Sequence, residues 1–387
     1  MPEVASISAA LDRALAETGV PGAVAVVVTR DGTVHESAHG LRAKGGEQPM
    51  TTDSVFRIFS MTKAIGSAAA MKLVEEGRID LDAPVTDYLP EFAEVQVLDG
   101  WDGDAPRLRA PRTACTVRHL ATHTSGMTYD VWNAAQAKYM EALGKPPTLG
   151  GTRASLFSYP MQFDPGTAWA YGMSTDWLGR VVEEVSGERI DAFLEREIFG
   201  PLGMTSTDVE FSPDMTARKV AVHASTPEGF QVIDLDLPSH PEFYGMGHAL
   251  NGTGPDYARF CRMILRGGEF DGRRVFAEET VAAMCANAIG DLRLTSQPTQ
   301  KAHLGLDIDI FPDVEKTHTL AFMRVEGDVE GRRRAGSVGW AGLLNTHFWI
   351  DPASDVAGVV MMQHIPFIDA PAMKVYDAFE RAVYAAR

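Results

Sequence analysis

Short apolar, β-branched runs stand at both ends of this chain, and the middle is built differently. Near the N-terminus, Ala23 to Thr29 is followed by the turn Arg30-Asp31-Gly32-Thr33 and a returning segment, Val34 to Gly40. Asp-Gly between two such runs is a strong hairpin signal. Strand character returns only late, at Leu304 to Ile310, Ala321 to Val325, Leu344 to Ile350 and Val356 to Met362. Between Asp82 and Ile289 the pattern is helical: Pro84 to Leu89, Val117 to Thr122, Val131 to Leu143, Ser174 to Ser186, Asp191 to Phe199, Asp256 to Leu265 and Glu278 to Met284, separated by Pro- and Gly-rich loops. Leu149 to Gly166 reads as surface loop with one short helix. Amphipathic helices are expected at residues 5–18 and from Pro371 to Ala386. The expected architecture is an α/β (α+β) domain built from residues 1–82 and 290–387 together, with a mainly helical domain inserted over 83–289. The cleft between them is the default site.

Composition narrows the class. The chain has 387 residues, 45% of them hydrophobic and 22% charged, as in a soluble globular protein. Its 52 Asp+Glu against 35 Lys+Arg give a net charge of −17, which argues against nucleic acid or an anionic membrane as partner. Cys115, Cys261 and Cys285 are too scattered for a disulfide framework or a zinc site and fit the cytosol. The N-terminal Met-Pro-Glu-Val-Ala-Ser has no signal-peptide pattern, and the run Val20 to Val28 is too short to span a membrane. Arg332-Arg333-Arg334 reads as a solvated turn.

The chemistry concentrates in three places. Ser60-Met61-Thr62-Lys63 is an S-x-x-K tetrad between the aromatic run Phe56-Arg57-Ile58-Phe59 and a small-residue helix carrying Ala68, Ala69 and Ala70. A serine hydroxyl is a weak nucleophile and needs an adjacent base. A lysine three residues on lies one turn away on the same helix face, and burial would favour its neutral form. The pattern alone is common; its strand-then-buried-helix setting is what the motif requires. Tyr171 ends the run Asp164-Pro165-Gly166-Thr167-Ala168-Trp169-Ala170-Tyr171, just before a helix. In isolation it reads as a packing tyrosine. Gly336 to Gly342, with Trp340-Ala341-Gly342 at its end, precedes a late strand, and by itself reads as a bulged edge strand.

Together these motifs resemble the serine β-lactamase-like superfamily: class C β-lactamases, D-Ala-D-Ala carboxypeptidases and, most closely, family VIII carboxylesterases. Ser60 to Lys63 matches the S-x-x-K, Tyr171 stands at the tyrosine of Y-x-N, and Trp340-Ala341-Gly342 stands at K-T-G in the W-x-G form of family VIII esterases. Arg118 to Met127, Asp80 to Val85 and Phe199 to Met204 agree with framework motifs, so the resemblance runs from about residue 7 to the C-terminus. It implies the β-lactamase/transpeptidase-like fold, an antiparallel sheet flanked by helices, and no cofactor or metal. It also implies attack by Ser60, a proton shared by Lys63 and Tyr171, and an oxyanion held by the backbone N–H of Ser60 and Leu343, with Trp340 and Gly342 beside the substrate. Tyr129, close after His123-Thr124-Ser125-Gly126, is a candidate for the acyl pocket.

Two departures shape the expected function. Gly172 and Met173 follow Tyr171, so the asparagine of Y-x-N is missing, and Trp340 replaces the lysine of K-T-G. A neutral indole cannot hold a β-lactam carboxylate. Losing one charge-assisted contact costs roughly 1.5–3 kcal/mol, ten- to a hundredfold, which weakens β-lactam turnover without abolishing it. The leading expectation is a serine carboxylesterase acting on small short- to medium-chain esters. A β-lactamase or D-aminopeptidase, an acyltransferase of the same fold, and a non-catalytic scaffold are the alternatives. His123 invites a Ser-His-Asp reading, but the chain has no G-x-S-x-G elbow, so His123 reads as structural, its ring tied to a loop.

Overall fold

The computed structural model describes residues 2–387. Its centre is a seven-stranded antiparallel sheet. The strands are β1 (Gly22–Val28), β2 (Thr33–Gly40), β3 (Lys316–His318), β4 (Met323–Val325), β5 (Val338–Gly342), β6 (Thr346–Asp351) and β7 (Val356–Met361), in the order β3-β4-β5-β6-β7-β1-β2. The N-terminal hairpin therefore joins the late strands through the β1–β7 pairing, Val26 opposite Val359. β1 is buried along its whole length. That explains an unbroken apolar run where a half-exposed strand would alternate. Ala23, Ala25 and Val27 face a core shared with α1 (Pro2–Thr18) and α5 (Ala370–Ala385), while Val24, Val26 and Val28 belong to the main core on the other side.

The main core holds α2 (Thr62–Glu75), α3 (Ser174–Ser186) and α4 (Gly254–Leu265). α4 lies within the segment 83–289 yet contacts β1 and β7 directly. α2 is buried on nearly all sides, so its run of alanines keeps it thin enough to be surrounded. Met246 wedges between α2 and α3. A Cβ on Gly66 would lie 2.7 Å from Met246 Cβ, and one on Gly179 would lie 2.7 Å from Met246 Cγ. The glycines make room for the methionine, and the methionine fixes the loop that follows it.

Several sequence expectations need correction. Leu304 to Ile310 is not a strand: it is a loop touching its neighbours through single bridges, Gly305 with Phe367 and Ile308 with Gln297. Its alternating apolar residues share no single face: Leu304 lines a cavity, Leu306 is exposed and Ile308 packs on the aromatic cluster of Trp132 and Trp169. Leu149 to Gly166 does contain one short helix, Arg153–Leu156, but Tyr159 and Met161 are core residues. Arg332-Arg333-Arg334 is not a solvated turn. Arg333 is buried, its Nε donating to Glu380 Oε1 at 2.8 Å on α5. The ring of His123 is wedged among other rings, and its buried Nδ1 has no hydrogen-bond partner, so no bond ties it to a loop. The hairpins Val97–Asp102/Ala105–Arg109 and His223–Thr226/Gly229–Val232 were not expected, because few of their residues are buried and their apolar periodicity is weak. Among the described residues, no helix is long and apolar enough to cross a membrane.

Met246 is fully buried and meets both helices at glycines, where neither backbone can collapse to fill a void. Met246→Ala is expected to cost about 2–5 kcal/mol, read as a lower denaturation midpoint in urea. A midpoint equal to that of the parent would show that the wedge carries no load.

Candidate active site

Ser60 lies in the tight helical turn Phe59–Met61 that leads into α2. Phe59 has a positive φ of 41°, uncommon for a residue with a side chain, and its ring is buried. Neighbouring segments hold the turn. Ile58 N–H donates to Leu250 O at 3.1 Å, Leu250 N–H donates to Thr62 Oγ1 at 3.1 Å, and Tyr257 of α4 donates to Met61 O at 2.9 Å.

Lys63, on the first turn of α2, is buried. Its Nζ donates to Ser60 Oγ at 3.2 Å, Tyr129 OH at 3.1 Å and Gly247 O at 2.8 Å. Tyr171 OH donates to Ser60 Oγ at 2.6 Å. One serine oxygen is thus within hydrogen-bond reach of an amine and a phenol. Tyr171 and Tyr129 are set side by side by their backbones, with Tyr129 N–H donating to Tyr171 O at 3.3 Å. The residue after Tyr171 must be glycine: a Cβ at Gly172 would lie 1.9 Å from Met127 O. Met173, in the position of the missing asparagine, is fully buried in the core.

Trp340, on β5, closes the other side. Its Nε1–H donates to Tyr171 OH at 3.4 Å, and the two ring centroids are 4.9 Å apart. The glycine of the W-x-G has a steric reason: a Cβ on Gly342 would lie 2.2 Å from Ile58 O. Only glycine lets β5 run so close to the serine turn, and this brings Leu343 to the cavity. The cavity has a volume of about 240 Å³ and is walled mainly by Trp132, Leu149, Leu304, Trp340, Leu343 and Phe367, with Ser60, Tyr129 and Tyr171 on one side.

Burial sets the protonation of the surrounding groups. It raises the Tyr129 phenol well above its usual range, helped by the charge of Asp176 and by Tyr171, so Tyr129 stays a neutral phenol. Burial likewise pushes His123 well below its ordinary value, with His318 and Lys63 adding to the effect. The His123 ring stands edge-on to Tyr171, with centroids 5.4 Å apart. Buried and neutral, it supports Tyr171 by packing.

The structure brings Ser60, Lys63, Tyr171, Tyr129, Trp340, Gly342 and Leu343 into one region. Sequence reasoning placed Tyr129 only on a pocket wall and missed its bond to the lysine. It also missed the carbonyl of Gly247, although Tyr244-Gly245-Met246-Gly247-His248 is glycine-rich in the way a close backbone approach requires. Trp132, three residues after Tyr129, also lines the cavity, and its ring centroid is 5.6 Å from that of Tyr171.

A family model described as Beta-lactamase matches residues 7–378. The chain belongs to the beta-lactamase family. It is 31% identical over 392 residues to lovastatin esterase of Penicillium rubens, across 96% of each chain. It is 30% identical over 356 residues to acyltransferase calJ of Penicillium decumbens, across 88% of this chain and 83% of the other. A solved structure of simvastatin synthase from Aspergillus terreus, the LovD6 mutant, superposes with a TM-score of 0.85 at 27% identity, covering 99% of this chain and 95% of that one. This member of the beta-lactamase family has the β-lactamase/transpeptidase fold and is a hydrolase or acyltransferase of that fold.

The buried histidines give the fold a pH dependence. His318, whose ring centroid is 5.2 Å from that of His123, is pushed down to about 4 by burial. Above pH 6.5 both folded and unfolded chains hold it neutral. As pH falls from 6.5 toward 4 only the unfolded chain takes the proton, so stability is lost across that window, by about 2–3 kcal/mol for this residue. Urea unfolding at a series of pH values should show the decline, and His318→Gln should make it shallower, with His123, His248 and His347 keeping the remainder. An unchanged slope in the variant would assign the decline to other groups.

Proposed function

We propose that this protein is a serine carboxylesterase of the family VIII type, hydrolysing short- to medium-chain esters through an acyl-enzyme on Ser60. One observation carries the reading: Tyr171 OH at 2.6 Å and Lys63 Nζ at 3.2 Å from the same serine oxygen, at the edge of an apolar, aromatic-walled cavity. In this reading Ser60 Oγ attacks the ester carbonyl and its proton passes into the Lys63–Tyr171 pair. The backbone N–H groups of Ser60 and Leu343 hold the oxyanion. Collapse of the tetrahedral intermediate breaks the bond to the alcohol oxygen, which takes its proton from Tyr171. Water then attacks the acyl-enzyme, gives up its proton to the same pair, and releases the acid and free Ser60. Trp340 Nε1–H donates to the Tyr171 oxygen, so it stabilises the phenolate left when the proton has gone. The name of lovastatin esterase supports an ester substrate. The free thiols of Cys115, Cys261 and Cys285 fit a reducing compartment such as the cytosol.

Acyl transfer is the second reading, favoured by the likeness to acyltransferase calJ and simvastatin synthase. It needs the same acyl-enzyme and an alcohol in place of water. A β-lactamase is disfavoured by the indole of Trp340 and the buried Met173, which stand where that chemistry wants a cation and an amide.

Wild-type protein is expected to hydrolyse p-nitrophenyl butyrate without added metal. Ser60→Ala should lose this turnover, and Tyr171→Phe should lower kcat by about 10²- to 10⁴-fold. Undiminished hydrolysis by Ser60→Ala would sink the proposal. Added butanol distinguishes the two readings by how much acyl group it diverts from water, and a chromogenic cephalosporin should turn over only slowly.

A further inference from the structure

Away from Ser60, Tyr129 and Tyr171 the cavity wall is largely apolar, with Thr148 and His248 its uncharged polar members. Among its described lining residues, Asp130 and Lys301 are the charged pair. Lys301 Nζ is ion-paired with Asp130 Oδ2. The Asp130 side chain is only 10% exposed and the Lys301 side chain 39%, so the acid is largely covered and the lysine partly exposed. Asp130 directly follows Tyr129, the phenol bonded to Lys63, which ties the pair rigidly to the site.

The pair is built in rather than a chance meeting of surface chains. The loop that carries Lys301 is clipped to the loop that carries Asp130: Gln300 N–H donates to Val131 O at 2.7 Å, and Trp132 Nε1–H donates to Leu306 O at 2.9 Å. Lys301 caps its own turn, its carbonyl accepting from Leu304 N–H at 2.9 Å and Gly305 N–H at 3.2 Å. A Cβ on Gly305 would lie 2.9 Å from Trp132 Cζ2, so glycine permits the close approach. This is the segment whose sequence suggested a strand.

We propose that the Lys301–Asp130 pair recognises a hydroxyl group on the substrate, so that the preferred ester carries a hydroxyl on its acyl or its alcohol arm. The inference rests on the esterase or acyl-transfer reading of the site. A purely apolar chain laid against the pair would strip water from two charges and return nothing. A carboxylate would satisfy Lys301 but meet the negative charge of Asp130 beneath it. A hydroxyl accepts from the ammonium, which has three protons and gives one to Asp130, and it also donates to a carboxylate oxygen. A neutral donor–acceptor group is thus the complement of a net-neutral donor–acceptor pair.

Binding to Ser60→Ala protein, followed by quenching of the cavity tryptophans, tests this without turnover. Two sets, each matched in chain length and varied in the end group, serve as probes. One varies the acyl arm (ethyl hexanoate, ethyl 6-hydroxyhexanoate, monoethyl adipate), and the other varies the alcohol arm (butyl butyrate, 4-hydroxybutyl butyrate). In at least one set the hydroxylated member should bind about tenfold tighter than its apolar counterpart, and the set that shows it identifies the arm. Adding Lys301→Met or Asp130→Asn to this background should bring the ratio close to one, with folding checked by circular dichroism. Apolar members binding as well as hydroxylated ones in both sets would overturn the proposal. A preference that survives in both variants would overturn it too. Wild-type turnover of the apolar esters reports separately on the reading it rests on: a binding preference without turnover would keep the recognition element and remove the esterase.

Discussion

The buried amine of Lys63 is the interaction on which the rest of the site depends. An amine taken out of water must be given acceptors or the fold loses several kcal/mol. Here three different segments supply them: the serine turn, the loop of Tyr129 and the loop of Gly247. Each segment is placed by a steric device at some distance from the amine. Met246 wedged between Gly66 and Gly179 sets the Gly247 carbonyl, and Gly172 lets the Tyr171 loop press against Met127 so that the two tyrosines align. Gly342 admits β5 to the serine turn. The glycines are therefore spent where the backbone must close on the lysine and the serine.

Replacing a K-T-G lysine by Trp340 does more than remove a charge. The indole N–H points at the Tyr171 oxygen, and the ring packs on the tyrosine face. A cation at that position would stabilise a phenolate strongly and attract anionic substrates. A neutral donor stabilises it more weakly and adds apolar wall. One substitution thus changes both the proton chemistry of Tyr171 and the polarity of what can lie beside it. The charged pair among the cavity's described lining residues is Lys301 with Asp130.

Much of this was legible in the sequence because it follows short-range rules. The S-x-x-K spacing, the Asp-Gly hairpin and the unbroken apolar β1 each depend on a few adjacent residues. The remaining features were hidden because they depend on contacts between distant segments. Tyr129 reads as an ordinary wall residue until its backbone pairing with Tyr171 turns it toward Lys63. The Gly247 contribution is a carbonyl, which any residue possesses, so no residue type announces it. Arg333 looked solvated because its acid, Glu380, is 47 residues away on α5. Leu304 to Ile310 looked like a strand because its residues alternate in polarity, but Leu304 lines the cavity, Leu306 is exposed and the segment meets its neighbours only through single bridges.

Hydrolysis and acyl transfer differ only in which nucleophile reaches the acyl-enzyme after the first alcohol has left. In the proposed mechanism both use the same Ser60 ester, the same Lys63–Tyr171 pair and the same oxyanion donors, so the catalytic residues cannot decide between them. Water is everywhere at high concentration, and an alcohol competes only if the cavity raises its effective molarity beside the acyl group. The residues able to do that are those of the wall: the aromatic surface of Trp132, Trp340 and Phe367 for the carbon skeleton, and the Lys301–Asp130 pair for a hydroxyl. On the proposed mechanism, the balance between hydrolysis and acyl transfer in this chain would follow the affinity of that wall for the departing or incoming alcohol rather than the serine motif.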